Sequence, residues 1–349
     1  MTADQAAALI GEQPATDYAL DLAAHAERYK DVPGLAPLLR SARLGAIRQQ
    51  YEQADADATA AQTQYKTNVW RANAAILVAA SLSALMMAAQ ILAPKLPIEG
   101  LVTTLGILSA LSGAAATTWL FRVRQGNMLD AWMQRRAEAE TQRLSYFIAV
   151  ADPDGPPNND LDLLRLEYFR RYQLDVQKNY YQYRGLAHRA AANKTLDLGS
   201  YAVLLSTGSS LLAAGLGAVN GLATALGVVG VFGAALSSYA NSREALSQDR
   251  RNAERYARTR VALGGLEARL DQVRGAVAGG NRQALTEFVG AVNEQISLEH
   301  RQWLEATEIT RTAVAKLDEA LGKAQDTAPQ PPVAPRPPPA APSPVHPLE

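Results

Sequence analysis

The chain has 349 residues, 34 basic and 34 acidic side chains and no cysteine. A formal charge of zero gives no steering toward a polynucleotide, and the lack of cysteine excludes disulfides, thiolate metal sites and cysteine nucleophiles, which fits a soluble part in a reducing cytosol. The hydrophobic fraction of 48% is ordinary, but charges are dense up to Arg71, vanish over four stretches and return between and after them.

Residues 1–35 form a polar, alanine-rich N-terminal segment without the basic region and apolar core of a cleavable leader, so the first apolar stretch is expected to act as its own insertion signal. A first module is expected over 36–151. Inside it, 72–94 carries no charge over 23 positions, a five-residue loop with Lys95 follows, and 100–121 is charge-free over 22. Helices of that length cross a hydrocarbon core of about 30 Å. The remainder, 124–150, reads as one helix leaving the membrane, and 152–160 is a breaker-rich linker.

The second module is expected over 161–325. Its first part, 161–195, reads as an amphipathic helix carrying Leu163, Leu166, Phe169, Tyr172, Leu174 and Val176 and running into the third span. Residues 198–242 are free of charge for 45 positions, and the Asn220-Gly221 turn signal divides them into spans 198–218 and 222–240. One charged helix is expected over 243–278, ended by Gly279-Gly280, and a last one over 282–323 with Phe288, Val289, Val292, Ile296 and Trp303 on its apolar positions. The tail, 326–349, holds ten prolines between 329 and 347 and is expected to be disordered, either a spacer or a polyproline recognition segment.

The fold class is therefore expected to be all-α: an integral membrane protein with four transmembrane helices as two hairpins, plus a cytoplasmic helical bundle or coiled coil. A soluble bundle is the competing reading, because the apolar stretches are rich in Ala, Gly and Ser. Helices apolar on every face must be surrounded by other helices, and the flanking segments are too polar to surround four of them. Lys66, Arg71, Arg122 and Arg124 flank the first pair of spans, and Arg189, Lys194, Arg243, Arg250 and Arg251 the second. This distribution places both termini and the middle segment in the cytoplasm.

Small residues recur within the spans at Gly106, Ala110 and Ala114, at Ser209, Ala213 and Gly217, and at Ala223 and Gly227. Such ridges permit close helix contact, either within each hairpin or between subunits of an oligomer. Thr103, Thr104, Ser109, Ser112, Thr117 and Thr118 either line a narrow water path or bond back to their own helix. Gly106, Ser109, Ser112, Thr117, Ser209, Ala213, Gly217 and Gly227 are the candidate pore-lining or helix-packing residues. The arginine pairs 135–136, 170–171 and 250–251 read as solvated faces or as contacts to anionic headgroups.

Four isolated histidines, His25, His188, His300 and His346, with no HExxH, phosphate loop, nucleophile elbow or dinucleotide fingerprint, lead to the expectation of a non-enzyme without cofactor or metal. A faint repeat pairs Tyr51 and Tyr65 before the first hairpin with Tyr172, Tyr180, Tyr181 and Tyr183 before the second. The string Arg135-Arg136-Ala137-Glu138 after the first is matched to Arg250-Arg251-Asn252-Ala253-Glu254 after the second.

These hairpins, the run from Tyr51 through Trp70-Arg71-Ala72-Asn73, its counterpart from Tyr180 through Asn193-Lys194, and the closing string Phe288-Val289, Glu294 and Glu299-His300-Arg301-Gln302-Trp303 resemble the SLATT superfamily. Those are the SMODS- and SLOG-associated two-transmembrane effector domains of bacterial conflict systems, and here two would stand in tandem over residues 36–310. The resemblance implies an inner-membrane effector that oligomerises on a trigger and permeabilises the bilayer, beside a nucleotide-sensing or nucleotide-producing partner protein. A membrane-anchored helical scaffold that recruits partners through its cytoplasmic helices and tail is the alternative.

Overall fold

The computed structural model describes residues 1–326 apart from 14, 16–19, 93–98, 153–154, 217–220 and 306. Among the described residues every regular element is helical and there is no strand. Three short helices open the chain: α1 (Ala3–Ile10), α2 (Leu22–Arg28) and α3 (Leu35–Leu39). A capping box starts α1, with the Thr2 hydroxyl accepting from the Gln5 amide and the Gln5 side chain accepting from the Thr2 amide.

Helix α4 (Ala42–Leu92) then runs for 51 residues, a sequence with no proline and a single glycine, so nothing in it interrupts the backbone ladder. Helix α5 (Glu99–Gln125) returns along α4, and α6 (Met128–Ala151) continues down the same rod. Asn158 caps α7 (Asn159–Phe169) by accepting from the Leu161 amide at 3.1 Å. A π-helical turn (Arg170–Leu174) joins α7 to α8 (Asp175–Leu216) without a break. The return is again in two pieces, α9 (Gly221–Ser247) and α10 (Asp249–Glu267), both packed on α8. Helices α11 (Leu270–Ala278), α12 (Arg282–Glu305) and α13 (Thr307–Asp326) complete the fold.

Several helices are more divided than their sequence implies. The helix expected over 124–150 breaks at Asn127, with φ 43°, and the one expected over 243–278 breaks at Gln248, with φ 51°. Neither carries a proline. Asn tolerates the left-handed region, and Gln248 is held there by donating its amide to the Thr310 hydroxyl at 2.6 Å. The last helix divides after Glu305.

The N-terminal segment is not a loose lead. Ile10, Tyr29, Leu35 and Leu39 are fully buried in the main core with Tyr146, Leu163, Leu166 and Tyr168. The Tyr29 hydroxyl donates to the Ile10 carbonyl at 2.9 Å and lies 2.8 Å from that of Tyr172, and His25 Nδ1 lies 2.6 Å from the Tyr168 hydroxyl. Buried charges are matched as well. Glu167, with no exposed surface, accepts from Arg170 at 2.7 Å and from Arg274 at 2.6 and 2.9 Å, while Arg170 also donates to the Gly11 carbonyl. Paired in this way, a buried charge avoids the several kcal/mol that isolation costs, about 3–5 kcal/mol when one partner is removed.

Four helical segments, 42–91, 99–125, 159–215 and 225–278, are long and apolar enough to cross a membrane. Only 6, 6, 11 and 17% of their apolar windows is buried inside the protein. A soluble bundle would cover such faces, and here the rest of the chain does not. The loop with Lys95 and the proline-rich segment 329–347 lie outside the described residues.

Candidate functional site

The eight candidate residues divide between two helix pairs. Ser109 on α5 donates to the Ala79 carbonyl of α4 at 2.9 Å and lies 3.0 Å from the Ser83 hydroxyl, so it joins the two helices. A Cβ at Gly106 would stand 3.6 Å from the Met86 sulfur, an ordinary contact. Ser112 and Thr117 donate to carbonyls of their own helix, Leu108 at 2.8 Å and Gly113 at 3.0 Å. In the second pair Ser209 is buried and donates to the Leu205 carbonyl at 2.5 Å. Ala213 is half-buried, Gly227 faces open space, and Gly217 lies outside the described residues. The structure gathers no single polar lining from them.

The closest approach in the second pair falls elsewhere. A Cβ on Gly233 of α9 would sit 2.7 Å from the Ser206 nitrogen and 2.9 Å from the Ala202 carbonyl oxygen of α8, and one on Gly230 would sit 3.0 Å from the Ser210 hydroxyl. Gly230, Gly233, Ser237 and Ala240 follow a three-then-four spacing. Gly230 and Gly233 thus form the close seam with α8, a three-residue spacing that a search at four-residue intervals passes over.

The most elaborate geometry lies where the apolar helices meet the charged body. Both returning rods break there, at Asn127 and Gln248, and these are the two non-glycine residues with positive φ among the described residues. Arg122 precedes the first break and Arg243 the second, each by five positions (127 − 122 and 248 − 243). Arg122 and Arg243 are thus the structural counterparts, whereas the strings at 135–138 and 250–254 begin eight and two positions past their breaks.

Helix α13 straps both breaks. Thr310 receives the Gln248 amide, Arg311 donates to Asp130 at 2.7 Å, and Asp318 accepts from Arg124 at 2.8 Å. Between those polar ties, Ala313 and Leu317 are buried with Val123, Leu129 and Leu246. An aromatic stack lies beside the strap: Tyr65 is stacked on Trp132 at 5.4 Å, and Trp132 meets Trp303 edge-on at 5.4 Å. Beyond the second break Asp249 Oδ1 lies 2.6 Å from His188 Nδ1. Burial pushes the Asp249 carboxyl up, but hydrogen bonds from His188 and Ser247 outweigh it and hold the group below its ordinary value.

Sequence reasoning finds the basic residues and tryptophans of this junction but not the strap, because α13 reaches partners nearly two hundred positions away, as in Arg124 to Asp318. Among the described residues no group of three His, Asp or Glu side chains is placed to hold a metal ion. No protein-family model, curated protein or solved structure matches the chain.

Proposed function

We propose that the chain is a multi-pass membrane effector that works as an oligomer, with its charged helical body in the cytoplasm of a bacterial cell and its two apolar hairpins in the inner membrane. The observation that carries this reading is the uncovered state of the four apolar windows, at most 17% buried within the chain. Arg243 stands over the Trp70 ring at 5.9 Å and ties the two hairpins at one level. Measured from that level, the charge-free stretches 72–92, 100–121, 198–216 and 221–242 are each about 28–33 Å long as helices, against a hydrocarbon core of about 30 Å.

One chain gathers no polar path among its described residues, since many of the span hydroxyls are bonded to their own helix carbonyls. Permeation then requires several copies with the small-residue faces brought together. Helices α4 and α8 pass unbroken from body to span, while α13 holds the breaks in the returning rods. A signal received by the body from a nucleotide-sensing or nucleotide-producing partner thus has a rigid route to the bilayer. Those same back-bonded hydroxyls favour the second reading, a membrane-anchored scaffold whose spans only hold it in place.

The test is the inner-membrane potential of bacteria producing the full chain, a variant lacking 198–242, and Ser109→Leu/Ser112→Leu/Thr117→Leu. Depolarisation by the full chain that both variants abolish supports the effector. An inserted full chain that leaves the potential unchanged when its genomic neighbours are co-produced supports the scaffold.

A further inference from the structure

Two open surfaces of the charged body differ in shape and in charge. On α4, Asp55, Ala56, Thr59, Ala60, Thr63 and Thr67 line an open groove of about 780 Å³, and nothing larger than a glutamine stands in its walls. The opposite face of the same stretch, with Ala54, Ala58 and Tyr65, is buried. On α8, Tyr183 and Leu186 are 75 and 60% exposed and recur with exposed Ala190 at three- and four-residue intervals, so they form one outward ridge. Large apolar side chains grouped on a polar surface mark a contact site. The charges around the two surfaces are opposite. Helix α8 carries Lys178, Arg184, Arg189 and Lys194 and no carboxylate over 176–196, whereas α4 carries Glu52, Asp55 and Asp57 and no cation over 49–65. Arg184 and Asp57 take part in no salt bridge among the described residues: Arg184 lies over the Tyr180 ring at 5.7 Å, and Asp57 accepts from the Gln53 amide at 3.2 Å.

Groove and ridge also stand at one depth. A Cβ on Gly199 of α8 would lie 3.7 Å from that of Ala240 on α9, and Arg243, three positions further down α9, lies over the Trp70 ring of α4 at 5.9 Å. Position 196 on α8 and position 70 on α4 are therefore at about one level, and both helices run unbroken below it. Leu186 and Ala60 each lie ten positions below that level (196 − 186 and 70 − 60), about 15 Å, and Tyr183 and Asp57 each lie thirteen below it, about 20 Å. Copies held in one bilayer with a common orientation are related by rotation about its normal. Such a rotation leaves depth unchanged, so surfaces of two copies can meet only where their depths agree.

We infer that the α4 groove receives the α8 ridge of a second copy of this chain, with Leu186 seated over Ala60 and Arg184 paired to Asp57 across the contact. The occupant is another copy because shape, charge and depth all match between two surfaces of the same chain. Each copy then keeps one groove and one ridge free for its next neighbours, and this heterologous contact is the kind that generates a ring about an axis normal to the bilayer. The inference rests on the oligomeric membrane reading above and supplies its interface.

The chain has no cysteine, so an introduced pair reports only on itself, and a disulfide forms only where two Cα atoms approach within about 7 Å. Membranes of bacteria producing the full chain with Ala60→Cys/Leu186→Cys are mildly oxidised, and the products are separated without reductant. A ladder of dimers and higher species is expected at roughly fivefold or more the yield of Ala60→Cys/Val261→Cys, whose second cysteine occupies an exposed position of α10 off the ridge. Chains with Ala60→Cys alone and with Leu186→Cys alone are expected to give dimer when produced together and none when produced separately. Adding Asp57→Arg to the Ala60/Leu186 pair is expected to weaken the ladder, and adding Arg184→Asp as well to restore it, a rescue that a folding defect would not show. A ladder no stronger than that of the Val261 pair overturns the interface. So does dimer from one single-cysteine chain alone, which indicates a two-fold contact, or capture of Ala60→Cys by Ala340→Cys, which puts the chain's own proline-rich tail in the groove. Particles of several chains in nanodiscs alongside any of these results leave the oligomeric reading standing, whereas single-chain particles overturn that reading as well.

Discussion

His300 on α12 stacks on Trp303 at 5.6 Å and is half-buried beside charges of the body. Burial lowers its pKa first; Glu140 works against this, and Arg136 and Arg255 add to it. The native state thus binds a proton at His300 less readily than the unfolded chain, whose imidazole titrates near 6.5. The stability it permits is complete above about pH 7 and declines as pH falls through the unfolded value toward the lower native one. Unfolding midpoints of the full chain in detergent, followed from pH 8 to pH 5, are expected to drop on the acid side, and His300→Gln is expected to flatten that slope. Parallel curves for the two proteins would assign the acid sensitivity to other groups. Glu299, whose carboxyl is held above its ordinary value by burial although Arg255 at 2.9 Å draws it down, bends the profile the opposite way.

The α8–α9 pair makes a sharper distinction among glycines than composition does. Gly233→Ala drives a methyl group into the backbone of Ser206, where no side chain can swing aside, and is expected to cost about 1–3 kcal/mol through overpacking. Gly227→Ala meets nothing and is expected to be neutral or slightly stabilising. Apparent melting temperatures of the two variants in detergent check this, and equal values would show that the seam does not pack as described. The long apolar helices are legible in the amino-acid sequence because a charge inside them is too costly to be tolerated, so its absence over twenty positions is a strong signal. The breaks are not. Gly126-Asn127 resembles many tolerated helix-interior pairs, and Ser247-Gln248 has no breaker residue at all, because the left-handed turn at Gln248 is held by Thr310, a residue 62 positions away. The same non-locality hides the tyrosine network, in which Tyr29 meets Tyr172 across 143 positions. Local periodicity reports which residues are buried but not which ones meet.

At the scale of the whole molecule, two features set what the chain does alone. The body has a continuous core that takes in the N-terminal segment, α6, α7, α11 and α12, whereas the apolar helices leave large side chains such as Leu111, Leu204, Leu211 and Leu212 at least 60% exposed. In a bilayer those faces meet lipid or other copies of the chain, and the oligomeric reading commits to the second for part of them. Particle masses measured in nanodiscs large enough for several chains are expected to exceed that of one 37.4 kDa chain by an integral factor. A single-chain mass under every condition that gives depolarisation would refute an oligomeric pore.

The π-helical turn at Arg170–Leu174 has a consequence for how body and spans are geared together. A π turn accommodates one residue more than the α ladder, so it offsets the angular phase of everything beyond it by about 100°. On its near side Leu163, Leu166 and Phe169 point into the core, and on its far side Ala202, Ser206 and Ser209 meet α9. Both faces are satisfied only while that offset is kept. The rod from Asn159 to Leu216 is thus a keyed shaft. Conversion of the turn to regular α-helix without a change in chain length rotates the span relative to the body by about 100° and presents a new set of faces to the bilayer.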